Sequence, residues 1–390
     1  MSKTLQDYAT LINDTIQSNE INHYITTDNM CQNLGGIDTF KNINIPQGKV
    51  RSFQKDDVLL SNIRLYFRKV YRAKQKGGCS SDVLVFRAKH IDSATLFAIL
   101  SSQIFTDYAC SGSQGSKMPR GNKTHMMDFK IPTINFTIAK IFNSIQNKIE
   151  NNHKINELLH KILELLYEQY FVRFDFLDEN NKPYQTSGGK MKFSKELNRL
   201  IPNDFEVKTL GELITWISGS QPPKSCHIYE YKEGYIRFIQ NRDYSSNDYI
   251  TYIPISKNNK ICYQYDIMID KYGEAGAVRF GLQGAYNVAL SKISVLDQSM
   301  QEYIRSYLNS KPIKKYLSNA CMASTRSSLN ENHIYSLMLP IPPINLLQKY
   351  EKIAKNIITA IINNNQSTQT LTALRDFLLP LLLKQQVKPK

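Results

Sequence analysis

At 390 residues the chain exceeds one ordinary domain and points to two to four units of about 100 to 200 residues each. Its 42% apolar and 11% aromatic content, with 23 Tyr against 1 Trp, excludes a disordered tail. With 49 Lys and Arg against 34 Asp and Glu, a formal charge of +15 favours a polyanionic partner, nucleic acid or an acidic membrane surface.

In chain order, Met1 to Tyr8 is polar and lacks the apolar core of a signal peptide. From Lys41 to Lys89 there are 12 Lys and Arg against Asp56, Asp57 and Asp82, so most of the surplus charge lies there. A charge run alone fits a solvated face as well as a binding face. Within it, Asp57 to Ser61 and Val83 to Phe86 are strand-like apolar runs, and Thr95 to Tyr108 reads as a short helix. A polar loop, Gly115 to Asn122, closes the region. Next, Ile145, Ile149, Asn152, Asn156, Leu159, Leu163 and Leu166 fall at alternating steps of four and three, a heptad seam. Turn formers at Asn180 to Pro183 and Ser187 to Lys190 mark a linker.

The sequence then repeats. Lys3 to Ile12 aligns with Lys208 to Ile217 at an offset of 205, and Asp57 to Ser61 with Asp266 to Asp270 at 209. Asn122, His125 and Pro132 recur as Asn330, His333 and Pro340 at 208. In the second copy Tyr249 to Ile255 reads as a strand and Gln301 to Asn319 as a helix. At an offset of 212 the seam returns as Ile357, Ile361, Asn364, Thr368, Leu371, Arg375 and Leu378. Each seam carries a mid-helix Asn, Asn152 and Asn364, which costs stability but fixes register because a slipped pairing leaves its amide unsatisfied. Ordinary helical core is the bland reading of either stripe; duplication of the stripe, Asn included, weighs against it.

The expected fold is therefore α+β, two mixed α/β units alternating with two long antiparallel coiled-coil helices in an internal, pseudo-two-fold repeat. Boundaries are a first unit at 1–136, a helix at 137–176, a linker at 177–200, a second unit at 201–344, and a second helix with its tail at 345–390. A helix of about 30 residues is about 45 Å long. Two such helices would act as a ruler between two reading units, and the target would be two short DNA words with an unread gap.

Little in the chain suggests catalysis. No GxGxxG occurs; Gly188-Gly189-Lys190 has Tyr184 where a phosphate loop needs Gly and Met191 where it needs Ser or Thr. Ile341 to Asn345 lacks the aromatic and the preceding amide of an amino-methylation motif. Glu206-Val207-Lys208 resembles half a nuclease motif, but Asp204 stands too close to serve a separate metal-ligand strand. The six cysteines, Cys31, Cys79, Cys110, Cys226, Cys262 and Cys321, form no CxxC pair, so neither a zinc site nor a disulfide framework is expected. Phe377 to Leu383, the longest apolar stretch, is far below the roughly 20 residues of a membrane span. A cytoplasmic, reduced setting is expected.

Base readout needs forked donors and amides, with cations on phosphates. The closing loops offer Lys117, Arg120 and Asn122 in the first unit and Arg326 and Asn330 in the second. The segments after the Asp-opened strands offer Arg64, Tyr66, Arg68, Lys69 and Arg72, and then Lys271, Tyr272 and Arg279; Lys224 follows Pro222-Pro223. A polar turn with an Asn cap, or an exposed basic strand, is the competing structural reading. For His125 and His333 a packing or capping role is expected.

The order of parts, the opening Ile214 to Lys224, the close at Ser324 to Asn330 and Leu339 to Pro343, and the segments after the helices, Leu166 to Phe176, Ser187 to Met191 and Leu374 to Leu382, resemble the specificity subunits of type I restriction-modification systems. The first unit departs from the pattern at Gly115 to Asn122, where the usual closing loop is replaced. The resemblance implies two target recognition domains, spacer helices, and no catalytic site. Expected partners are double-stranded DNA, two methyltransferase subunits and restriction/translocase subunits. No cofactor is expected in this chain; S-adenosylmethionine would be held by the methyltransferase partners. The rival readings are a stand-alone DNA methyltransferase or nuclease with an unrecognised site, and a coiled-coil adaptor without sequence preference.

Overall fold

The computed structural model describes residues 3–38, 43–131, 134–245, 249–322 and 328–382. The chain divides into two compact units: Met1–Lys154 with Gln366–Lys390, and Ile155–Asn365.

In the first unit, strands Ala9–Ile12, Val83–Ala88, Val58–Ser61 and Val70–Arg72 form an antiparallel sheet in that order. Its two middle strands are continuous apolar runs because both faces are covered. Val58, Leu60, Leu84 and Phe86 pack with Leu96, Ile99 and Leu100 of helix Ser93–Ser101. Their alternates Leu59, Val83 and Val85 face Ile25, Phe53 and Cys79. The last three residues belong to a second sheet, ordered Thr15–Gln17, Lys49–Phe53, Gly77–Cys79, Tyr24–Ile25, whose last pair is parallel.

The second unit repeats the plan. Strands Ile214–Ser218, Leu290–Val295, Ile267–Asp270 and Val278–Arg279 form the antiparallel sheet. Ile267, Ile269, Ile293 and Val295 face Tyr303, Ile304 and Leu308 of helix Gln301–Asn309, and Met268 and Leu290 face Ile239, Cys262 and Tyr286. The companion sheet keeps the parallel and antiparallel neighbours of its central strand, as Tyr235–Ile239, Gly284–Tyr286 and Ile261–Cys262. Its fourth strand, Tyr252–Pro254, joins the opposite edge from the fourth strand of the first unit.

Local chemistry is duplicated too. The Thr4 N–H donates to Asp7 Oδ2 and the Thr209 N–H to Glu212 Oε2, both at 2.7 Å. The Gln54 and Tyr263 N–H groups each donate at 2.8 Å to the Asp that opens the middle strand, Asp57 and Asp266. Each unit's opening segment pairs with its close: Thr4 bridges Lys130, and Glu206–Thr209 pairs with Met338–Ile341. Pro132 lies outside the described residues; Pro340 sits opposite Val207 in that pairing.

Several elements differ from expectation. The helix predicted over Thr95 to Tyr108 is two helices, Ser93–Ser101 and Gln103–Ser111, because the Ser102 hydroxyl accepts from the Phe105 N–H and starts the second one. Gln301–Asn309 and Lys311–Met322 are likewise split at Ser310, whose backbone is extended, with Pro312, which has no N–H to carry the first helix onward, in the first turn of the second. The strand expected over Tyr249 to Ile255 narrows to Tyr252–Pro254. The stretch read as linker carries a hairpin, Met191–Ser194 with Arg199–Pro202, while Phe174 meets Phe205 edge-on at 5.5 Å and Phe176 stacks on it at 5.9 Å.

The long helices are Phe136–Tyr167, continued by a π turn at Glu168–Val172, and Ile344–Leu382. In the first unit Arg375 Nη1 donates to Gln146 Oε1 at 3.2 Å, and Asn152 Nδ2 to Thr368 Oγ1 at 3.2 Å, so the two helical segments there run antiparallel. Ile145, Ile149 and Asn152 are buried there. In the second unit Asn364 Nδ2 donates to Asn156 Oδ1 at 2.9 Å, Asn156 Nδ2 donates to Asn365 Oδ1 at 2.7 Å, and Tyr170 meets Tyr350 at 5.7 Å. Leu159 and Leu166 are half-buried there. On the second helix Ile361 is buried, but the deepest line continues through Ile358 and Leu379, and Ile357, Asn364, Leu371 and Leu378 are only half-buried. This corrects the seam copied at offset 212: a helix packed against a whole unit buries a wider stripe than a two-stranded seam. Among the described residues no helix is long and apolar enough to cross a membrane.

Glu351 accepts the Glu302 N–H at 2.8 Å, and burial, reinforced by the Glu302 carboxylate, pushes its carboxyl up to about 7. A raised acid favours the folded state when protonated, so this contribution is complete below the ordinary value of 4.5 and lost as pH rises through 7. Urea midpoints should therefore fall across that window in the native chain, and the Glu351 part of the fall should vanish in Glu351→Gln. Phe171→Ala, which removes a ring packed at 4.5 Å on Tyr303 and 4.8 Å on Tyr350, should cost about 3–5 kcal/mol in the same titration.

Candidate nucleic-acid interface

In the first unit the closing loop is strapped to the exit of the middle strand. The Gly121 N–H donates to Asn62 O at 3.2 Å, the Arg64 N–H to Pro119 O at 2.9 Å, and Ile63 bridges Arg120. Arg64 has a left-handed backbone (φ 49°), and its guanidinium reaches Lys117 O at 3.3 Å. Gly121 is closely packed: a Cβ there would meet the side-chain ends of Met126, Leu65 and Asn62 inside 3.0 Å, so these would have to shift to make room for it. The strap brings two separately predicted sets, Arg64 with Tyr66 and Lys117 with Arg120, onto one face. Tyr66 is 53% exposed, Lys117 is exposed, and Arg120 is exposed and paired with Asp82 at 2.9 Å.

Three other candidates are engaged within the protein. Arg68 Nη2 donates to Ser101 O at 2.9 Å, and burial lowers its guanidinium from the ordinary value. Lys69 Nζ donates to Thr27 O at 2.6 Å; Arg72 reaches Ser93 Oγ at 3.4 Å and lies 3.9 Å from Asp56. These three, expected to contact DNA, instead bind helix, loop and turn acceptors of their own unit. Asn122 is a cap, its Oδ1 accepting the His125 N–H at 3.1 Å, and the His125 ring stacks on Tyr108 at 4.1 Å.

The second unit has the same strap: the Leu329 N–H donates to Lys271 O at 3.0 Å. Burial lowers the Lys271 ammonium from its ordinary value. Tyr272 is 44% exposed, and its carbonyl accepts Asn241 Nδ2 at 3.3 Å. Arg279 Nη2 is shared between the buried Asp270, at 2.9 Å, and the exposed Glu274, at 2.5 Å. Asn330 is exposed and caps its own turn, accepting the Asn332 N–H at 3.1 Å and donating its N–H to His333 Nδ1 at 3.2 Å. Lys224 is exposed at the start of the turn Lys224–Cys226. Arg326 lies outside the described residues. Sequence reading missed Tyr229, Tyr231 and Tyr249, all strongly exposed; the alternation of Tyr with charged residues from Tyr229 to Tyr235 was the available signal.

Twin mixed units, each presenting cations and tyrosines on a strapped loop and joined through long helices, define a duplicated reading protein. Residues 202–373 match the family model described as type I restriction modification DNA specificity domain. The type I restriction enzyme MjaIX specificity subunit of Methanocaldococcus jannaschii is 25% identical over 300 residues, 74% of this chain and 67% of that one. The HindI specificity subunit of Haemophilus influenzae is 22% identical over 64% of this chain and 66% of its own. The chain thus spans about two thirds of the length of these relatives. Among solved structures, a type I restriction-modification S subunit from M. genitalium shares the fold, with a TM-score of 0.63 and 14% identity over 98% of this chain and 96% of that one. Residues 202–373 thus carry the type I restriction modification DNA specificity domain, and over most of its length the chain is similar to type I restriction specificity subunits.

Capping and binding roles separate by mutation. Asn122→Ala should cost about 1 kcal/mol of stability with or without DNA. Arg120→Ala should change stability by less than about 1 kcal/mol, since its ion pair is a surface one, yet weaken DNA binding. Lys117→Ala should weaken all duplexes alike and reduce the slope of log affinity against log salt by about 1. Thermal melts and a salt series read both.

Proposed function

We propose that this chain is the DNA-reading subunit of a type I restriction-modification complex, each unit reading one half of a bipartite target and the helical segments setting the gap. The observation that carries the reading is the strap, which in each unit places a polar closing loop beside the segment leaving the middle strand. Specific readout requires such pre-positioned groups at base edges, with cations on phosphates. Arg64, Tyr66, Lys117 and Arg120 form one face, and Tyr272 with Asn330 marks the other.

The chain itself carries specificity and no catalytic step. Methyl transfer from S-adenosylmethionine belongs to two modification subunits, and cleavage to translocating restriction subunits. An outer stripe supports docking of partner helices. In the second unit Ile155, Leu158, Ile162 and Leu165 are exposed at steps of three, four and three, a second seam left open on the first long helix.

Methylated positions mapped genome-wide should give two short words with a constant gap, and the isolated chain should neither methylate nor cut DNA. Four residues inserted after Asn152 add about 6 Å of helix and should change the gap by about two base pairs; an unchanged gap overturns the ruler. Leu158→Glu with Ile162→Glu should abolish co-purification with the modification subunits while leaving the chain folded, as read by circular dichroism.

A further inference from the structure

The second unit carries an aromatic edge that the first unit lacks. Its companion sheet is extended beyond Tyr235–Ile239 by strand Tyr252–Pro254, and Ile228 pairs in turn with Tyr252 through N–H···O bonds of 3.0 and 2.8 Å. In the first unit the corresponding strand, Tyr24–Ile25, is itself the sheet's edge. On the added ribbon Tyr229, Tyr231 and Tyr249 are 71%, 73% and 67% exposed. Rings of this size left in water on a folded unit mark a contact surface.

The ribbon also carries cations beside its rings. The Lys232 ammonium lies 5.7 Å from the Tyr235 ring and the Arg242 guanidinium 5.7 Å from the Tyr249 ring. Lys224 is exposed a few residues before Tyr229. Glu230 and Glu233 share the turn and disfavour phosphate at their own positions, leaving phosphate to the cations and the tyrosine hydroxyls. The turn that follows strand Tyr235–Ile239 reaches the reading face, where Asn241 donates to the carbonyl of Tyr272, next to the strapped Lys271, and its Arg242 faces Tyr249.

We propose that this ribbon is a second DNA contact of the second unit, gripping the sugar-phosphate backbone beside its half-site: Tyr229 and Tyr231 pack on deoxyribose and donate their hydroxyls to phosphate, while Lys232 and Arg242 supply charge. Such contacts hold position and carry no base information. The inference rests on the DNA-reading function proposed above. It also implies that the two half-sites are held unequally.

The test uses the full chain assembled with its modification subunits on duplexes bearing the mapped target. Tyr229→Ala with Tyr231→Ala should weaken binding by about a hundredfold or more, on the scale of two hydrogen bonds to charged groups. It should erase hydroxyl-radical protection of backbone beside the second half-site and leave the first unchanged. The paired Tyr→Phe variant, which keeps the rings but lacks the donating hydroxyls, should recover only the smaller part of the loss that ring packing accounts for. Unchanged affinity and footprint in the Ala variant overturn the ribbon contact. So does normal DNA binding with loss of a modification subunit, which makes the face a protein contact. Wild-type assembly that fails to distinguish target from scrambled duplex instead overturns the DNA-reading function itself.

Discussion

Each unit depends on one strand that is buried on both faces, Val58–Ser61 and Ile267–Asp270. Alternate side chains serve two different layers, helices on one side and a second sheet on the other, so a slip of one residue would exchange the two sets and ruin both packings. Register at this strand is therefore fixed by the core, and whatever leaves its end is fixed with it. That exit is where Asn62 to Tyr66 and Lys271 to Tyr272 sit, and where the closing loop is tied down. A reading face built on a strand end inherits the rigidity of the core, while its outer residues stay free to vary.

Much of this was legible in the sequence because it leaves local traces. The capping pairs Thr4 with Asp7 and Thr209 with Glu212 sit three residues apart, the Asp-opened strands follow turns closed by the same N–H···carboxylate bond, and the Asn-x-x-His spacing recurs at a constant offset. What was not legible depends on non-local partners. Nothing in Arg68-Lys69 says that one side chain will reach Ser101 O and the other Thr27 O, so an apparently exposed basic run turned out to be largely anchored. The second seam shows the same limit: copying the first helix's positions assumes the same neighbours, and the buried stripe keeps Ile361 and Arg375 but widens to take in Ile358, Ile362 and Leu379.

The polar residues inside the helical pairings follow from specificity rather than stability. Leucine at Asn152 or Asn156 would bury more apolar area, and Arg375 sits buried where a seam ordinarily holds an apolar side chain. Within the first unit Arg375 bonds Gln146, whose amide also donates to Leu34 O, tying the C-terminal helical segment to the first helix and to a loop of the globular part. Within the second, Asn156 both accepts from Asn364 and donates to Asn365. A pairing slipped by one turn would strand these amides and the guanidinium in an apolar interior, so the correct register is selected by the cost of every other one.

The asymmetry between the units arises at the one place the core leaves undetermined. Three strands of each companion sheet keep their parallel and antiparallel order because they pack on the double-faced strand; the fourth makes one ladder and is free to join either edge. In the first unit it extends the Lys49–Phe53 side, in the second the Tyr235–Ile239 side, where the tyrosine ribbon is built. Duplication supplied two similar frames, and the freedom of an edge strand let their surfaces diverge without disturbing either core. Two copies of one frame can differ at that edge at little cost to folding.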